Sequence, residues 1–129
     1  MSENFLHSDI TSKIIKAFYN VYNRLGFGFL EKVYHNSLLI ELSKYGLSCG
    51  SKIPIEVFYD QFIVGLYIAD IVVNESVIIE IKVAENIGSE HENQLTNYLK
   101  ATKIEVGMLL NFGPAPQFKR KVFSSKYKS

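Results

Sequence analysis

From Lys52 to Val83 the chain runs at a period of two, and this stretch narrows the folds open to it. Ile53, Ile55 and Val57 alternate with Lys52, Pro54 and Glu56, and apolar runs follow at 62–73 and 77–83. Only Asp60-Gln61 and Asn74-Glu75-Ser76 interrupt them. Residues two apart in a strand share a face, and turns this short join antiparallel neighbours. The spacing predicts a three-strand meander.

The flanks return to helical spacing. Ile14, Ile15, Phe18, Val21 and Tyr22 place a helix over 9–23, with Ser8 or Asp9 as its cap. Leu25-Gly26-Phe27-Gly28 breaks it, and a second helix is expected over 29–45, stopped at Gly46. Ser89-Glu90-His91-Glu92 has the capping-box form and opens a helix running to about Lys100. Ile104–Leu110 reads as a strand ended by Asn111-Phe112-Gly113-Pro114, and Phe118–Phe123 as a short edge strand. A strand reached through a helical crossover lies parallel to its partner. The expectation is an α/β chain with a mixed sheet flanked by helices, one domain over 1–129, and a short basic tail at 119–129.

Composition narrows the function classes. The 129 residues suit one domain, and 47% of them are hydrophobic. The lone Cys49 permits neither an internal disulfide nor a cysteine zinc site, which points to a reducing, cytoplasmic compartment. The opening MSENFLHSDI lacks the form of a signal peptide, and no apolar run is long enough to span a membrane. The net charge of +1 is unevenly placed: 119–129 holds Lys119, Arg120, Lys121, Lys126 and Lys128 without an acid, leaving nine basic and thirteen acidic residues elsewhere. Such a tail suits either a phosphate backbone or plain solubility.

The chemistry centres on Glu80-Ile81-Lys82, where a carboxylate and an ammonium share one face of an apolar strand. Charges there need pairing, hydration or a metal. The turn at 74–76 brings Asp70 roughly opposite Glu80, and two neighbouring carboxylates repel unless a cation relieves them. Their hard oxygens favour Mg2+ or Mn2+ over zinc. The alternative is a buried aspartate closing the hairpin beside a Glu–Lys ion pair. Glu31 and Tyr34 share a helical face, as do His91, Gln94 and Tyr98. Taken singly, His91 also suits a first-turn surface position and Tyr98 a core tyrosine.

Together these residues resemble the small bacterial and archaeal proteins named for a GxxExxY motif, within the PD-(D/E)xK nuclease superfamily. The motif stands here as Gly28, Glu31 and Tyr34; the superfamily signature as Asp70 followed by Glu80-Ile81-Lys82; and Gln94 with Tyr98 is similar to a RecB-type QxxxY motif. Leu110-Asn111-Phe112-Gly113 adds to the likeness, whereas Tyr67-Ile68-Ala69-Asp70 lacks the arginine common in relatives. The resemblance implies a restriction-endonuclease-like αβββαβ core and metal-dependent phosphodiester hydrolysis of nucleic acid, DNA first. It gives Asp70, Glu80, the Ile81 carbonyl and Glu31 the metal, and Lys82 the attacking water and the phosphate. Gln94 joins this catalytic set, with Tyr34, His91 and Tyr98 positioning substrate. A homodimer or larger complex would suit a duplex substrate. Two other readings stay open: a binding module with the same fold and little activity, and a hydrolase of small phosphoesters.

Overall fold

The computed structural model describes residues 6–128. Residues 1–5 of the segment read against a signal peptide, and the last residue of the basic tail, lie outside them. The described chain runs α1 (Ser8–Leu25), α2 (Glu31–Lys44), β1 (Cys49–Tyr59), β2 (Phe62–Val73), β3 (Val77–Lys82), α3 (Ser89–Lys100), β4 (Val106–Phe112) and β5 (Pro116–Val122). A short 3-10 turn follows at Ser125–Tyr127. The strands form one mixed sheet in the order β1-β2-β3-β4-β5. The first three make the meander, and β4 lies parallel to β3 after the α3 crossover.

The turns follow from local chemistry. Asp60 and Gln61 both take positive φ, as do Asn74 and Glu75, which is what hairpin turns matching the sheet twist require. Gly26 and Gly28 also have positive φ, so the break between α1 and α2 needs residues without a Cβ. Gly46, at φ 75, ends α2 in the same way.

The sheet is covered on both faces. Ile14, Phe18 and Val21 of α1, with Tyr34, Leu38 and Leu42 of α2, pack onto Ile71, Val73, Ile79, Ile81 and Phe112. Tyr34 stacks on Phe112 with ring centroids 4.5 Å apart. On the other face Leu95, Tyr98 and Leu99 of α3 meet Ile78, Leu109, Ala69 and Ile55. Full burial of such side chains contributes about 1.5–3 kcal/mol each. Gly107 lets α3 come close, because a Cβ there would stand 2.7 Å from Leu95.

Three expectations change. Residues 119–128 are built into the fold: β5 pairs along β4, Lys121 bridges Glu92 at 2.8 Å, and the Lys128 ammonium donates to the Thr102 and Ile104 carbonyls. The capping box forms differently, with Gly88 as the N-cap and the His91 Nδ1 accepting its N–H at 3.1 Å. Strand β4 extends to Phe112 because the Asn111 amide, expected in a loop, is buried and clasps Ala84.

Candidate active site

The β2–β3 ladder runs from Val73↔Val77 to Ile71↔Ile79, and carboxylates take over beyond it. The Asp70 N–H donates to Glu80 Oε2 at 2.7 Å, and the Ile81 N–H donates to Asp70 Oδ2 at 2.8 Å. Each acidic side chain therefore holds the other's strand. These bonds use one oxygen of each carboxylate, so Asp70 Oδ1 and Glu80 Oε1 are the atoms left to face a cation. The main chain also twists out of plain alternation here. Ala69 packs on the α3 side while Ile71 and Val73 face α1 and α2, although all three share strand parity.

Across β1, Lys52 lies between the pairs Ser51↔Ile71 and Ile53↔Ala69, opposite Asp70. Its φ is 56, and its Nζ stands 3.5 Å from Asp70 Oδ1. From the other side comes Glu31, the first residue of α2. Tyr34 supports that approach: its hydroxyl donates to the Gly26 carbonyl and accepts the Phe29 N–H, bracing the loop that leads into α2. Tyr34 is fully buried, so it acts on the site through this loop.

Electrostatics link the group. Burial, with the Asp70 charge adding to it, pushes the Glu80 carboxyl up to about 8. Burial and then Asp70 also raise Glu31, while Lys82 and Lys52 pull it back down. Tyr98 is pushed up to about 12, by burial first and then by Glu80 and Asp70. Glu31 and Lys82 thus lie within electrostatic range of the Asp70–Glu80 pair, and Tyr98 within range of both carboxylates. Gln94 is half-buried on α3, and among the described residues no hydrogen bond ties its amide to Asp70, Glu80 or Lys82. His91 is engaged at the start of α3, on the Gly88 N–H and 3.6 Å from Glu90.

Sequence reasoning did not single out three neighbours of the site. Lys52 is one. The others are His35, whose Nε2 lies 2.8 Å from the Ser51 hydroxyl, and Ser51 itself. They line an open groove of about 510 Å³ with Glu31, Lys32 and Asn36. Burial, and then the Lys52 charge, hold His35 below the ordinary histidine range. Only the hairpin register, with its bulge, could have pointed to Lys52.

The donor set suits a hard divalent cation in its chemistry: carboxylate oxygens, one of them on a buried residue whose charge needs compensation. Among the described residues no three His, Cys, Asp or Glu side chains are gathered closely enough to hold a metal as they stand. Completing a ligand shell therefore requires main-chain oxygen or water besides Asp70 and Glu80.

Two carboxylates thus interlock where two central strands part, with Lys82 in electrostatic range of Glu80. The chain belongs to the PD-(D/E)XK nuclease superfamily, whose family model matches residues 8–122. A solved structure, the crystal structure of SSO0001, shares the fold with a TM-score of 0.53 at 19% identity. The match covers 71% of this chain and 50% of that one, so the chain spans about half the length of that protein. No curated protein matches the sequence.

Proposed function

We propose that the chain hydrolyses phosphodiester bonds in nucleic acid, with DNA as the first substrate class, and that it uses Mg2+ or Mn2+. The observation that carries this reading is the interlock of Asp70 and Glu80, with Glu31 and Lys82 within electrostatic range. Asp70 and Glu80 would hold the ion with the Ile81 carbonyl, and Glu31 would reach it through a bound water. The bound ion supplies a water of lowered pKa and offsets charge on the phosphate. Lys82 presents a fixed positive charge to the nonbridging oxygens as negative charge develops there. Tyr98 stays protonated at neutral pH and serves as a hydrogen-bond donor beside the carboxylates. Gln94, one turn earlier on α3, orients the substrate side of the site. Gly28, Glu31 and Tyr34 support a kinship with the GxxExxY proteins, and the free Cys49 suits the cytoplasm.

One observation favours a second reading, a nucleic-acid or protein binding module of this fold. The carboxylates already have internal partners in two main-chain N–H groups and Lys52. The experiment that separates the two combines end-labelled single-stranded, duplex and branched DNA, and RNA, with Mg2+ or Mn2+. Wild type is run beside Asp70→Ala and Lys82→Ala. The nuclease reading expects cleavage that each substitution lowers about 100-fold or more. Cleavage surviving in both variants overturns it. Absence of both cleavage and Mn2+ binding selects the binding module.

A further inference from the structure

The groove of about 510 Å³ beside the carboxylates is polar throughout, lined by Glu31, Lys32, His35, Asn36, Ser51 and Lys52. All but Glu31 carry a nitrogen or hydroxyl able to donate, and the two lysines add fixed positive charge. Lys32, Asn36, Ser51 and Lys52 are exposed, so their polar groups are open to a ligand. Such a lining suits phosphate oxygens, and with His35 buried it presents no exposed ring on which a base could stack. The groove is continuous with the carboxylate site. Glu31 belongs to both, and the Lys52 ammonium stands 3.5 Å from Asp70 Oδ1.

Two features of the groove have no part in holding a cation. His35 is only 5% exposed, and its Nε2 lies 2.8 Å from the Ser51 hydroxyl. When Nε2–H is the donor in this bond, the hydroxyl proton is left for an anion, and burial fixes the ring that orients it. Lys52, within β1, takes φ 56, a conformation that strains a lysine and that glycine adopts freely. A lysine therefore stands where glycine would fit better. What the position gains is an ammonium on the groove wall beside Asp70.

We propose that this groove holds a backbone phosphate of the nucleic acid, next along the strand to the phosphate being cleaved, with Lys32, the Ser51 hydroxyl and Lys52 as its donors. Lys52 turns to it once Asp70 Oδ1 is given over to a cation, and His35 positions the Ser51 hydroxyl. The proposal rests on the nuclease reading for the neighbouring, scissile phosphate. Fluorescence anisotropy of the full chain with labelled single-stranded DNA tests it, between about 50 and 200 mM salt, in Ca2+ as the probe cation and separately in EDTA. The slope of log affinity against log salt is expected to fall by about 0.7 in Lys32→Met in both media. In Lys52→Met it is expected to fall as far in Ca2+ and to stay unchanged in EDTA, where Asp70 keeps the ammonium. Lys16→Met, at an exposed lysine of α1, is expected to keep the wild-type slope. Ser51→Ala is expected to lower affinity about threefold at an unchanged slope. Adding His35→Gln to it is expected to take nothing further away, whereas a histidine with only a structural role would lower affinity again. If the double variant fails to fold by far-UV circular dichroism, the two lysine slopes decide. Wild-type slopes in both lysine variants overturn the proposal, and cleavage by the same wild-type preparation would leave the nuclease reading standing without it. Slopes that fall as expected, with a wild type that cleaves nothing, support the phosphate site and count against the nuclease reading alone.

Discussion

Lys52 faces Asp70 across the β1–β2 pair with its ammonium 3.5 Å from Oδ1, on a main chain of positive φ. That ammonium stands beside the oxygen a cation would use, so it competes with a metal ion for Asp70. The lysine head is 63% exposed, which limits the effect. Lys52→Met should tighten Mn2+ binding by about two- to fivefold in isothermal titration, the equivalent of an exposed ion pair. Unchanged affinity would show that the ammonium does not contend for that oxygen. Lys52→Gly should add about 1 kcal/mol of stability in urea unfolding, since glycine adopts positive φ without strain.

The Glu80 carboxyl is raised from 4.5 to about 8, so it carries a proton in the folded protein over a range where the unfolded chain has released it. Stability from this group is complete below the unfolded value and is lost as pH rises through about 8. The metal-free protein should lose about 3 kcal/mol, or roughly 10 °C in Tm, between about pH 5 and pH 9. Glu80→Gln should flatten this difference. Added Mn2+ should favour the ionised form and restore Tm at the alkaline end. Parallel Tm profiles for wild type and Glu80→Gln would contradict the assignment.

Much of this site could be read from the order of residues, because hairpin geometry is local. The turn at 74–76 sets Asp70 against Glu80, and the register bears that pairing out as far as Ile71↔Ile79. Lys52 was hidden by one residue. Counting back from the turn at Asp60-Gln61 puts Ser51 opposite Asp70, but the bulge adds Val64 to β2 and brings Lys52 there instead. Strand parity failed similarly at Ala69, whose face depends on the twist beside Asp70. Asn111 read as a loop residue because Asn-Phe-Gly-Pro favours turns. Its burial depends on the distant Ala84, which no local pattern contains.

Tyr34 links the α1–α2 loop to the core through its hydroxyl and its stack on Phe112. Tyr34→Phe keeps the ring and removes both hydrogen bonds, leaving the Gly26 carbonyl without that donor. The expected cost is about 1–2 kcal/mol in denaturant unfolding. Hydrogen exchange should locate it, with the Phe29 amide losing protection while amides of β3 and β4 keep theirs. Uniform loss of protection would instead mean that the hydroxyl supports the whole core rather than the loop presenting Glu31.

Gly113 lets β4 pass the segment that leaves Lys82. A Cβ there would stand 1.9 Å from the Ala84 carbonyl oxygen, a main-chain atom that cannot swing aside. The same Ala84 is held by the Asn111 amide through bonds of 2.9 Å to its N–H and its carbonyl. Gly113→Ala must therefore displace the chain just past the lysine of the site, at a cost of about 3 kcal/mol. In nuclease assays it should reduce turnover more than nucleic-acid affinity, because the lysine moves while the remaining surface does not. Ala115→Gly, two residues further on, serves as a control for loop composition and should leave both unchanged. If Gly113→Ala has wild-type stability by urea titration, the close passage of the two chains is not what holds Lys82 in place.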